Sequence, residues 1–241
     1  VENGAIFAGV THNGGDTGNL RMKAGADGSV KLRVHEPKKC GWDDKHPGKE
    51  QAFLFVIEGV SSGGSALQFE VGQFTDADGV KGAEGGITHK PREVAFENEF
   101  TTSPVVLAGV VSMDGGHPVV PSVETVNAKT VTMRLDEPDC YDESHTTETL
   151  DWMASGPGVH QTDDGVPFVV GTAEISGGGW SKVSFGTDLP GDVVVIPTLQ
   201  GKTKDWTNLR LRKVTGSGFE ILMEAARKGD KHEGAETLGF F

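Results

Sequence analysis

Several things are scarce or missing in this sequence of 241 residues. No window carries sustained apolar spacing at three and four residues, so no amphipathic helix is expected. No stretch approaches about 18 consecutive apolar residues, which excludes a membrane-spanning helix, and Val1 does not open a signal peptide, so the chain shows no address of its own. Basic residues are few, with Lys and Arg totalling 22 against 35 Asp and Glu, for a formal net charge of −13. Phosphate backbones and anionic membranes call for a basic stripe that is absent, so nucleic-acid binding and membrane insertion are both excluded as expectations, while attraction for cations is favoured. Also lacking are G-x-S-x-G, H-E-x-x-H, a Walker loop and a dinucleotide fingerprint. An enzyme therefore ranks last. If it were one, paired carboxylates with histidine would make it a metal-dependent hydrolase.

What the chain does have is repetition. The 35 Gly and 11 Pro signal many tight turns, and between them one plan is written three times. Val30, Leu32 and Val34, then Val131, Met133 and Leu135, then Phe219, Ile221 and Met223 alternate with polar residues, the signature of a half-buried strand. Each of these strands runs into a Glu (Glu36, Glu137, Glu224), an acidic loop with a His (His46, His145, His232), and a second Glu (Glu50, Glu148, Glu236). Asp44 to Glu50, Asp142 to Glu148 and Asp230 to Glu236 keep the same spacing. Upstream lie AIFAGV at 5–10, PVVLAGV at 104–110 and DVVVIPTL at 192–199, runs short enough for strands buried on both faces. FEVGQF at 69–74 answers FVVGTAEI at 168–175.

The expected fold is all-β: tandem antiparallel six-stranded β-sandwiches in two to three copies. The copies span 1–60, incomplete on its N-terminal side, 66–158, complete, and 166–241, incomplete on its C-terminal side, with linkers at 61–65 and 159–165. In this register Trp152, Phe55 and Phe241 fall at comparable buried positions of the last strand, and Val106, Leu107, Val194 and Phe7 in a central one. Unpaired edges at the incomplete copies would have to be covered, so self-association with neighbouring copies or subunits is expected.

Two readings compete for the acidic loops. Glu137, Asp142, His145 and Glu148, with Glu36, His46 and Glu50 and with Glu224, His232 and Glu236, make up a donor set for Ca2+ or another divalent cation. The alternative is structural, with one Glu closing a strand, another opening the next, and His or Lys bridging them. Asp76, Asp78 and Glu84 weakly echo a calcium loop but lack its twelve-residue series. Cys40 and Cys140 stand at nearly the same place in successive copies, so they are either free or bridged between units. Free thiols are the expectation, because a bridge needs α-carbons within about 7 Å.

The order of a strand ending V-x-F, PVVLAGV, a turn, VTMRL, a polar loop and HTTETLDWMA at 145–154 resembles the H-type lectin domain, in particular the tandem H-type-lectin-like repeats of large surface proteins. The resemblance implies an antiparallel sandwich and an extracellular or cell-surface location. It also implies a galactose-type sugar site in the end loops, built from His145 or His46, the aromatics Tyr141 or Trp42, and Arg21 or Arg212. The functional expectation is a non-enzymatic structural or assembly protein of an extracellular filament, matrix or cell surface; the alternative is a carbohydrate-binding lectin taking glycans as partners.

Overall fold

The computed structural model describes residues 4–13, 16–43, 45–58, 68–75, 85–162, 164–203 and 206–241. The protein is all-β, and every strand ladder is antiparallel. Its first segment holds β1 (Gly4–Val10), β2 (Asn19–Ala24), β3 (Val30–His35), a 3-10 turn at Lys38–Cys40, and β4 (Ala52–Glu58). The second holds β5 (Phe69–Phe74), β6 (Arg92–Ala95), β7 (Val105–Val110), β8 (Val120–Val126), β9 (Thr130–Asp136) and β10 (Leu150–Ser155). The third holds β11 (Gly158–Gln161), β12 (Pro167–Ser176), β13 (Ser181–Ser184), β14 (Pro197–Leu199), β15 (Thr207–Thr215), β16 (Gly218–Ala225) and β17 (Ala235–Phe240).

Pairing follows one order throughout. The second segment forms β5-β10-β7 and β6-β9-β8, the third β12-β17-β14 and β13-β16-β15 with β11 added beside β12, and the first β1-β4 and β2-β3. Alternation in the strands explains the burial. Val131, Met133 and Leu135 on β9 are all 0% exposed and pack with Val106, Leu150 and Trp152. Phe219, Ile221 and Met223 on β16 do the same with Val195, Leu238 and Phe240. A further core joins all three segments through Ala5, Phe7, Val71, Leu107, Met153 and Ile196. Strands β1 and β7 therefore meet apolar neighbours on both faces, which is why their sequences are unbroken apolar runs.

The register differs from expectation by one residue in the last strand. Ala8 faces Leu54, Ala108 faces Trp152 and Pro197 faces Phe240, so the counterparts of Trp152 are Leu54 and Phe240. Side chains alternate across a sheet with period two, so Phe55 and Phe241 turn instead toward the core shared by the three segments. Val194 is 45% exposed, whereas Val195 and Ile196 are buried. Strand β17 pairs along six positions with β12 and also with β14. Part of the stretch 159–165 expected as a linker is strand β11, paired with β12. The linker at 61–65, Asp44, and the Asp76, Asp78 and Glu84 loop lie outside the described residues.

Among the described residues the first segment has four strands, against six in the second and seven in the third. Among the described residues no strand pairs with the outer edge of β4 or of β3. Leu32 and Leu54 are each 40% exposed, while the side chains in register with them, Met133 and Ile221 or Trp152 and Phe240, are 0, 1, 4 and 3% exposed.

Cys40 and Cys140 form a disulfide with α-carbons 5.4 Å apart, correcting the expectation of free thiols. The end loops of the first two segments converge there, a proximity that spacing along the chain does not reveal. The third segment joins at the same point, since the Lys228 amide donates to the Cys40 carbonyl.

Candidate functional site: buried ion pairs at the seams

Strand β2 carries Asn19-Leu20-Arg21, and β15 carries Asn208-Leu209-Arg210, at matching ladder positions. Each Asn reaches into the neighbouring segment, Asn19 Nδ2 donating to Val119 O at 2.7 Å and Asn208 Nδ2 to Gly18 O at 2.9 Å. Each Arg does likewise. Arg21 Nη2 lies 2.7 Å from Glu148 Oε1 and Arg210 Nη2 2.5 Å from Glu50 Oε1, with side chains at most 3% exposed. The first segment thus leans on the second, and the third on the first. Parallel bridges Thr11↔Leu211 and Val123↔Gln200 extend the same handed sequence of contacts, bringing the third segment onto the second.

At the seam of the first and second segments, Glu148 accepts from His145 Nε2 at 3.0 Å, from the amides of Asp114 and Gly115 at 3.0 and 2.8 Å, and from Ser112 Oγ. Burial by itself would raise its pKa, but these bonds outweigh it and hold the carboxyl down at about 2. His145 Nδ1 lies 2.5 Å from Glu137 Oε1. The seam of the third and first segments repeats the arrangement: His46 bridges Glu36 and Glu50 at 2.9 Å on each side, while Thr11 Oγ1 and the Asn13 amide donate to Glu50. Glu50 too is held below its ordinary value, with burial opposed chiefly by His46 and Arg210.

The third copy of the plan diverges. His232 contacts Thr207 Oγ1 at 3.0 Å and Glu236 at 3.4 Å, and Ser122 stands where the other segments carry Arg. Glu224 is in register with His35 and Asp136 rather than with Glu36 and Glu137, because Asn208 faces it across the ladder as Asn19 faces His35. It joins Arg210, Thr17 and His12 instead of His232.

The aromatic residues are covered by cations and hydrogen bonds. Trp42 Nε1 donates to Ala226 O at 2.7 Å and Lys228 Nζ lies 5.1 Å from its ring; Tyr141 carries Lys39 Nζ at 4.8 Å and the His117 ring at 4.7 Å. Arg212 is away from the seam residues, bonded to Glu220 at 2.6 Å and stacked 3.9 Å from Trp180. The arginine that matters is Arg210, two residues earlier, and the shared Asn-Leu-Arg tripeptide was the signal for it. Asp142 is exposed and meets only the outer side of the cluster, 3.6 Å from His117 Nδ1. With both ring nitrogens of His46 and His145 on carboxylate oxygens, these clusters are suited to holding segments together. Comparison with family models, curated proteins and solved structures finds no match for this chain.

Proposed function

We propose that this is a non-enzymatic assembly protein built of tandem H-type-lectin-like sandwiches closed about a common axis, and that its half-open first sandwich accepts strands from a neighbouring copy in an extracellular filament, matrix or surface layer. One observation carries the reading: Leu32 and Leu54 are exposed beside two strand edges that are unpaired among the described residues, while their counterparts are buried under β5 and β6 or under β12 and β13. An exposed apolar edge of this kind is a template for strand addition. The strands that fill the equivalent places share a pattern, FEVG and FVVG, whose Gly72 and Gly171 lie against the Trp152 and Phe240 rings.

Less supports a lectin, because the His, Arg and aromatic residues a sugar would need are already bonded to protein. The same burial of His145 and His46 weighs against a hydrolase.

The test is a peptide of residues 167–186 added to the purified chain. It is expected to raise the melting temperature and to co-sediment with the parent, but not with a Leu54→Lys, Val56→Lys variant that keeps the parental circular dichroism. An unchanged melting temperature and no co-sedimentation with the parent would overturn the strand-acceptor reading.

A further inference from the structure

A second cluster sits on the outer side of the His46 site. One carboxylate oxygen from each of Asp16, Glu36 and Asp43 lies within 4.8 Å of the others. Glu36 is 1% exposed. Its Oε1 is engaged by His46 Nδ1 at 2.9 Å, but Oε2 is buried and has no hydrogen-bond partner. A buried carboxylate oxygen left bare is costly, and two more carboxylates close by add repulsion to that cost. The only ion pair among these three groups and described residues is the one from His46 to Glu36.

The second segment shows how the same place looks when it is satisfied from within. There His117, Glu137 and Asp142 form the cluster, and His117 Nδ1 lies 3.1 and 3.3 Å from the two oxygens of Glu137. His145 takes Glu137 Oε1 as well, so Glu137 has no bare oxygen. Where the second segment supplies an imidazole, the first supplies Asp16, a third acid. Among the described residues of these two clusters, the imidazole of the second segment has an acid in its place in the first.

We infer that Asp16, Glu36 and Asp43 bind a calcium ion. An all-oxygen set of three carboxylates on two loops suits a hard cation with flexible coordination, and water completes its shell. His46, bonded to Glu36 Oε1, fixes the direction in which Oε2 is presented, as outer-shell partners of metal ligands do. The ion ties the loop before β2 to the loop that carries Cys40, and so stiffens the end of the molecule where the three segments meet. The inference does not depend on strand addition at β4, which lies on other residues.

The test uses the full chain after chelator treatment, titrated by calorimetry with calcium chloride and, separately, magnesium chloride, with melting curves taken in parallel. Calcium is expected to bind at one ion per chain and raise the melting temperature. Asp16→Asn and Asp43→Asn, both on solvent-reached loops, are expected to keep the fold and weaken calcium binding by about tenfold or more, since affinity follows ligand charge. Melting curves that overlay with and without calcium would overturn the site, as would Asn variants binding calcium like the parent. Magnesium binding in preference to calcium would overturn the identity of the ion.

Discussion

Glu148 gathers a guanidinium, an imidazole, a hydroxyl and two amides around one buried carboxylate. Replacing it with Gln leaves Arg21 charged and buried without a counter-ion, an imbalance that costs roughly 3–5 kcal/mol. Denaturant midpoints for Glu148→Gln at neutral pH should show that loss, with the m-value unchanged. The pH dependence has a definite sign. The folded pKa of about 2 lies below the ordinary 4.5, so the contribution is present above 4.5 and is lost as pH falls toward 2. That acid limb should flatten in the Gln variant. Asp151 acts in the opposite direction: burial, only partly offset by Gln73 and the Ile6 amide, raises it from 3.8 to about 6, so its contribution declines as pH rises through that interval. Which residues occupy such positions was only partly legible. His46, His145 and their glutamates stood out because one chain segment carries them all. Arg21 was noticed beside a wrong partner position, Arg212, because the arginine acts across a seam and periodicity within one strand says nothing of neighbours.

At the scale of strands, the clearest device is a glycine under a large ring. A Cβ on Gly72 of β5 would come within 2.4 Å of the Trp152 ring on β10, and one on Gly171 of β12 within 2.6 Å of the Phe240 ring on β17. Overpacking a filled core costs about 1–3 kcal/mol. Gly72→Ala should lower the unfolding free energy from urea melts by an amount in that range, and a Gly72→Ala, Trp152→Leu double variant should recover part of it. A single variant as stable as the parent would refute the close packing. The strands themselves were legible, since Val131, Met133 and Leu135 announce a buried face by alternation alone. The last strands were placed one residue out, because ETLDWMA and its counterparts carry large side chains on both faces. Only the ladder opposite them, Ala108 to Trp152, decides which ring points inward.

For the molecule as a whole, the disulfide joins residues 100 apart and pins the first segment to the second beside the Arg21 seam. A cross-link closing a loop of that size stabilises by up to about 4–5 kcal/mol in the chain-entropy account. Cys140→Ser should therefore lower the unfolding free energy from denaturant melts by a few kcal/mol while leaving strand content, read by circular dichroism, as in the parent; a variant matching the parent in stability would show that the seams suffice without it. The repeated plan in the sequence says nothing of how the segments close on one another. Closure depends on Asn19, Asn208 and Arg210 meeting carbonyls and a carboxylate in other segments, and no local pattern encodes such meetings.

Arg210 meets the Thr11 carbonyl across 199 residues and Glu50 across 160. On a ribosome adding about 5–20 residues per second, the first segment waits on the order of 10–40 s before its latch is made. Throughout that interval Glu50, His46 and the β1 edge are without their partner strand, so the first of the three segments is secured only once the third has been made. Chaperone contact and misassembly during synthesis should therefore concentrate on the first segment, although in the finished molecule its latch is as deeply buried as the other.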